Sequence, residues 1–97
     1  MDEILVTGST GFIGNHLIPE LSKNYKILGI SKNKKNPSKN FASRTIDITR
    51  SNFMLKNNFK KIIHMAAYSD VTYCDLNPTK CYELNVKSTQ KMLEIAR

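Results

Sequence analysis

Val6-Thr7-Gly8-Ser9-Thr10-Gly11-Phe12-Ile13-Gly14 is the stretch on which the reading of this chain turns. Its glycines recur at three-residue spacing, between the short apolar run Ile4-Leu5-Val6 and a segment with helical periodicity. An apolar run of that length suits a strand of a parallel sheet buried on both faces. Gly8 permits a tight reversal after the strand, and Gly11 lets backbone approach a ligand with no Cβ in the way. Gly14 lets the following helix lie close on the sheet. The first N–H groups of that helix, around Phe12 and Ile13, have no partner inside it, and its positive end attracts phosphate. Strand, glycines and helix in this order are the context of a dinucleotide-binding turn. A tight turn without a ligand is the plainer alternative, and the agreement of all three features weighs against it.

On either side of the turn the chain alternates strand and helix. The helix is expected from about Phe12 to Ser22, with Ile13, Leu17 and Leu21 on its inward face and Pro19 kinking it or loosening its first turns. Tyr25 to Ile30 is the second strand and Thr45-Ile46-Asp47-Ile48 the third, with Ser51 capping a brief helix over 52–56. Lys61 to Ala67 is the fourth strand. Asn77-Pro78 supplies an N-cap and an N1 proline for a long last helix. On that helix Tyr82, Val86, Thr89, Leu93 and Ala96 form one inward stripe, widened by Cys81, Leu84, Ser88, Met92 and Ile95. Strands alternating with helices mean parallel βαβ units and an α/β fold.

Length and composition narrow the function. With 97 residues the chain is read as one domain, residues 1–97, which excludes a site built between two domains of this chain. No apolar run is long enough to span a membrane, and Met1-Asp2-Glu3 does not open a signal peptide, so the cytoplasm is the expected compartment. Cys74 and Cys81 are too few for a disulfide framework or a four-cysteine zinc site, and with no histidine beside them a reactive thiol is not expected. The net charge of +7 favours anionic partners in general without selecting one. Its densest part, Lys32 to Arg44, is rich in Asn, Ser and Pro and reads as a solvated loop. With Phe41 its only aromatic, it argues against nucleic acid.

A dinucleotide site needs a second marker at the end of strand two, where an acid holds a free ribose and a cation a 2′-phosphate. The residues there are Ser31 and Lys32, with no acid between Glu20 and Asp47. They favour NADP over NAD.

Four stretches together give the chain a resemblance to the extended short-chain dehydrogenase/reductase superfamily of nucleotide-sugar epimerases, dehydratases and reductases. Thr7 to Gly14 is similar to its TGxxGxxG turn, Asp47-Ile48-Thr49 to the acid-apolar-Thr segment after strand three, and His64-Met65-Ala66-Ala67 to its HxAA strand end. Asn85-Val86-Lys87-Ser88-Thr89 through Arg97 is similar to its NVxGTxxLLEAA helix, with Ser88 where glycine is common. The resemblance implies a truncated Rossmann-like parallel sheet of about four strands, order 3-2-1-4, flanked by helices. It also implies that Gly8, Gly11, Phe12, Ile13 and Gly14 hold a pyrophosphate, with Thr10 among the cofactor-binding residues, Asp47 and Ile48 an adenine, and Met65, Ala66 and Ala67 the nicotinamide-side ribose. The run from Ala66 to Val71, followed by Cys74, Asn77 and Pro78, is similar to the dTDP-dehydrorhamnose reductase branch, and makes Tyr68, Ser69 and Asp70 candidate substrate contacts. Asn85 is a family position near the active site, or a side chain bonded to neighbouring backbone.

The family's catalytic Tyr-x-x-x-Lys pair has no match: four residues after Tyr25, Tyr68, Tyr73 and Tyr82 stand Gly29, Thr72, Asn77 and Val86. His16 and His64 read as structural. The expectation is therefore a cofactor-binding part, NADP or NAD its ligand and a nucleotide sugar its neighbour, that binds without catalysis. Strand four would be an open apolar edge, so self-association or pairing with a second chain is expected. The rivals are a non-catalytic nucleotide-binding or assembly module and one half of a split enzyme.

Overall fold

Ile4, Leu5 and Val6 are almost completely buried, as a strand in the middle of a covered sheet must be. In the computed structural model, which describes residues 2–33, 41–50, 55 and 59–96, this strand is β1 (Glu3–Thr7). It pairs in parallel with β2 (Lys26–Ser31) on one side and with β4 (Lys61–His64) on the other. β3 (Ala42–Thr45) adds to β2, and the sheet order is β3-β2-β1-β4. Helix α1 (Phe12–Leu21) follows the glycine turn, and α2 (Val71–Leu76) follows β4. The last helix runs as α3 (Pro78–Tyr82), one π-helical turn (Glu83–Lys87) and α4 (Ser88–Ala96). The parallel α/β architecture and its strand order are those expected.

Successive residues of β1 face opposite sides, and two apolar layers result. Leu5 packs with Leu28, Ile30, Ile48 and Met92 under α4, whereas Ile4 and Val6 pack with Ile27 and Ile18 of α1. A fully buried leucine contributes about 1.5–3 kcal/mol, so this central strand anchors both layers.

Several local expectations are corrected. β3 ends where it was expected to begin, at Thr45, and all four of its residues are exposed, so they show no buried face to read. Ile46 hands its N–H to Ser31, and the chain then turns at Asp47, which sends Ile48 into the core. β4 stops at His64 and not at Ala67, because its partner β1 ends at Thr7. On α1 the buried residues are Gly14 and Ile18, while Ile13 is 63% exposed. Packing of the helix start against the glycine turn rotates the inward face by one residue. α1 runs on through Pro19 to Leu21. On the last helix only the second stripe is inward: Cys81, Ser88 and Met92 are buried, whereas Tyr82, Val86 and Leu93 are exposed. The brief helix over 52–56 and most of the basic loop lie outside the described residues. Among the described residues no helix is long and apolar enough to cross a membrane.

Candidate functional site

The glycine turn is shaped by two close approaches. Gly8 has φ of +70°, and a Cβ there would lie 3.0 Å from the Ala66 nitrogen, so this residue crosses the end of β4 in a conformation side chains disfavour. Its N–H donates to the Ile30 carbonyl at 3.0 Å, fastening the turn to β2. At Gly14 a Cβ would stand 2.6 Å from the Ser9 carbonyl oxygen and 2.8 Å from that of Gly8. Gly14 therefore brings α1 against the turn itself more than against the sheet. Gly11 precedes α1 without a side-chain cap, so the N–H groups of Phe12, Ile13 and Gly14 have no intrahelical partner. Thr10 and Ser31 share a 2.7 Å hydroxyl hydrogen bond that fixes the turn over the end of β2.

The carboxyl ends of the strands open into a cleft of about 650 Å³. Gly8, Thr10 and Gly11 line it with Ser31, Lys32, Asp47, Ile48, Met65, Ala66, Ala67 and Tyr68, so one cavity gathers most of the residues singled out in the sequence. Phe12, Ile13 and Gly14 stand beside it and do not line it. Ile48 reaches it with little of its surface, being 7% exposed and mostly in the core.

Beneath the cleft, Thr7 joins β1 to β4. Its Oγ1 accepts from the N–H groups of Met65 (3.0 Å) and Ala66 (3.2 Å), so its own proton goes to His64 Nδ1, 2.6 Å away. His64 must then carry its proton on Nε2, which faces Thr89 Oγ1 at 3.0 Å; Thr89 in turn donates to the Asn85 carbonyl at 2.8 Å. Every proton in this chain is placed by the acceptors present, and the arrangement calls for a neutral imidazole. Burial also lowers the His64 pKa from its ordinary 6.5. The unfolded chain therefore takes up this proton first as pH falls. The stability that neutral His64 confers is complete above about 6.5 and is lost from there down toward its lower folded pKa. Urea unfolding between about pH 5 and 8 is expected to show midpoints falling with acid, with a shallower fall in His64→Gln. Equal slopes would refute the assignment.

Asp47 ends β3's connection in a tight turn, its Oδ1 accepting from Thr49 Oγ1 at 2.6 Å and Thr49 N–H at 3.0 Å. The Thr49 hydroxyl holds this carboxyl below its usual range against the opposing effect of burial, with smaller help from the Thr49 N–H, Lys32 and Arg50. An ionised carboxylate thus sits at the rim of the cleft, able to accept from an amino group.

The opposite wall is built around Tyr68. Asn85 accepts from the Tyr68 N–H and donates to its carbonyl, both at 2.8 Å, so its amide serves that segment as a strand would. Of its two readings, this is the bond to backbone. The Tyr68 and Tyr73 rings lie 4.8 Å apart, and the Lys32 ammonium stands 5.9 Å from the Tyr68 ring centre, within cation–π range. Among the three expected substrate contacts only Tyr68 lines the cleft. Asp70 is instead the N-cap of α2, accepting from the Tyr73 N–H at 2.8 Å, and Ser69 is exposed outside the cleft. Tyr73, Lys80, Glu83 and Leu84 also line it and were not foreseen. Reading Asp70 as an N-cap would have found Tyr73 on the helix it starts. Cys74 and Cys81, expected as two inert thiols, are joined in a disulfide. His16 packs its ring edge-on to exposed Phe12 at 4.8 Å, away from the cleft lining.

A model of the NAD dependent epimerase/dehydratase family matches residues 4–97. The chain belongs to that family. It is 36% identical over 104 residues to a putative UDP-glucose 4-epimerase of Methanocaldococcus jannaschii, covering 97% of this chain and 33% of that protein. The structure of MoeE5 in complex with UDP-glucose and NAD is 25% identical, with a TM-score of 0.79, over 96% of this chain and 31% of the other. The UDP-glucose 4-epimerase of Thermotoga maritima with UDP-glucose shares the fold at a TM-score of 0.85 and 22% identity, over 97% of this chain and 33% of its own. The chain thus spans about a third of the length of each of these proteins.

Proposed function

We propose that this chain is the dinucleotide-binding part of an epimerase, dehydratase or reductase acting on a nucleotide sugar. The observation that carries the reading is the single cleft in which the glycine turn, Asp47 and the Met65–Ala67 backbone meet. The residues fit the ligand: Gly8 and Gly11 leave room for a pyrophosphate, and the first N–H groups of α1 can bind its charge. Asp47 accepts from the adenine amino group, and the backbone of Met65, Ala66 and Ala67 borders the ribose on the nicotinamide side. When bound, the dinucleotide supplies hydride chemistry. The chain's own residues bind and orient it. No tyrosine here has its lysine four residues on, so these residues bind cofactor without turning it over.

Relatives that bind NAD support the dinucleotide, and Lys32 inclines the choice toward NADP. Titration of the chain with NADPH and NADH, followed by nicotinamide fluorescence, is the direct test. NADPH is expected to bind more tightly, and Lys32→Ala to remove most of that difference while leaving NADH affinity within about twofold. Equal affinities in the parent chain would remove the preference, and no binding of either would remove the site. Among the described residues β4 has a neighbour on one side only, which favours self-association or a second chain along that edge. Light scattering that finds a monomer at high concentration would exclude it. We place the chain in the cytoplasm.

A further inference from the structure

The far wall of the cleft rests on a helix that cannot hold itself in place. α2 has six residues and buries none of them; Val71 is 75% and Leu76 77% exposed. So short a helix is marginal in water without packing or a cap. Among the described residues its attachments are the Asp70 cap, the Asn77 N–H and side-chain amide on the Tyr73 carbonyl, the Tyr73 ring against Tyr68, and the bond from Cys74 to Cys81. That last bond links the middle of α2 to α3 across the Asn77-Pro78 corner, with Cα atoms 5.6 Å apart. The two sulfurs are unequally placed. Cys81 is 7% exposed, whereas Cys74 is half-buried with its Sγ 3.8 Å from the Tyr68 carbonyl. Tyr73, the residue before Cys74, and Tyr68 both line the cleft.

We propose that Cys74–Cys81 is a thiol–disulfide exchange site whose oxidised form holds α2 and the Tyr68–Tyr73 pair against the cleft, and whose reduced form releases them. The co-reactant is a dithiol. One of its thiolates attacks the accessible Cys74 sulfur, the protein S–S bond breaks, and Cys81 leaves as a thiolate that takes up a proton. The second thiolate of the dithiol attacks its own sulfur in the mixed disulfide, and Cys74 leaves and is protonated likewise. Two electrons pass from the dithiol to the protein, and the dithiol becomes a cyclic disulfide. The reverse exchange restores the wall. Releasing α2 gives its residues back their conformational freedom, which ligand binding must then remove, so the reduced chain binds a dinucleotide more weakly. The effect on affinity rests on the cofactor reading of the cleft; the exchange itself does not.

The 97-residue chain is to be equilibrated with dithiothreitol or with its oxidised cyclic disulfide, and free thiols counted. Each form is then titrated with NADH and compared by amide hydrogen exchange across residues 68–76, with β1 as the control. The expected result is two free thiols after reduction and about tenfold weaker NADH binding. Faster exchange across 68–76 with β1 unchanged should accompany it, all reversed by reoxidation. The Cys74→Ser/Cys81→Ser variant should behave as the reduced chain under both treatments. NADH binding in neither form, with the exchange difference intact, would overturn the cofactor reading and leave the exchange site standing. The proposal is overturned if the thiols never pair, if the dithiol does not reach the bond, if both forms exchange alike, or if they bind NADH equally. Loss of β1 protection on reduction would overturn it too, by making the bond a general support of the fold.

Discussion

Gly14→Ala is expected to destabilise the fold by about 2–3 kcal/mol and to weaken dinucleotide binding by at least about tenfold. The added methyl would stand 2.6 Å from the Ser9 carbonyl oxygen and 2.8 Å from that of Gly8. Both obstacles are backbone, so no rotamer change relieves them, and α1 must move off the turn. That movement shifts the unpartnered N–H groups of the first helical turn, which are the ones offered to phosphate. Gly11→Ala is the comparison: its Cβ would be 3.3 Å from the Gly8 carbonyl oxygen, a contact the turn can absorb by a few tenths of an ångström. Urea unfolding of both variants should therefore rank Gly14→Ala well below Gly11→Ala in stability. Equal stabilities would mean that α1 is not seated on the turn as described.

The second large effect belongs to Asn85→Ala. That change strips the Tyr68 N–H and carbonyl of their partners at once, and each half-buried group left unpaired costs about 1–3 kcal/mol. A loss of about 2–4 kcal/mol is expected, less whatever water recovers. Asn85→Asp keeps the acceptor for the Tyr68 N–H and sets a carboxylate against the Tyr68 carbonyl, so it should not rescue the wall. Because Tyr68 borders the cleft, NADH affinity should fall in both variants, and amide exchange at Tyr68 should quicken. Unchanged exchange at Tyr68 in Asn85→Ala would show that the amide does not hold this segment.

Exposure decided which elements could be read in advance. β1 and the turn were legible because buried apolar residues and glycine spacing both carry direct physical constraints. β3 was not, because a strand whose residues are all exposed leaves no pattern; the apolar Ile46 and Ile48 beyond it drew the expectation forward. The last helix offered two apolar stripes of similar quality, and only the position of the sheet makes Met92 the buried one and leaves Leu93 65% exposed. The site divides in the same way. Gly8, Gly11, Ser31, Asp47 and Ala66 were singled out from spacing and resemblance, and the structure brings them to one cleft. Tyr73 was not singled out, and Asp70 was not read as an N-cap, because no helix was expected between β4 and Asn77.

By itself the sequence determined the parallel order of strands and helices, the glycine turn between β1 and α1, and the family. These follow from local rules: burial of short apolar runs, glycine at close approaches, unpaired N–H groups at a helix start. Tertiary structure alone decided what depends on distant partners. Thr7 meets His64, 57 residues away, and thereby sets its tautomer; Asn85 meets Tyr68, 17 residues away, and builds the wall. Cys74 meets Cys81 only because the chain turns at Asn77-Pro78 between two helices. A hydrogen bond or a disulfide is selective in distance and angle, and no spacing in the chain fixes either until the backbone has folded.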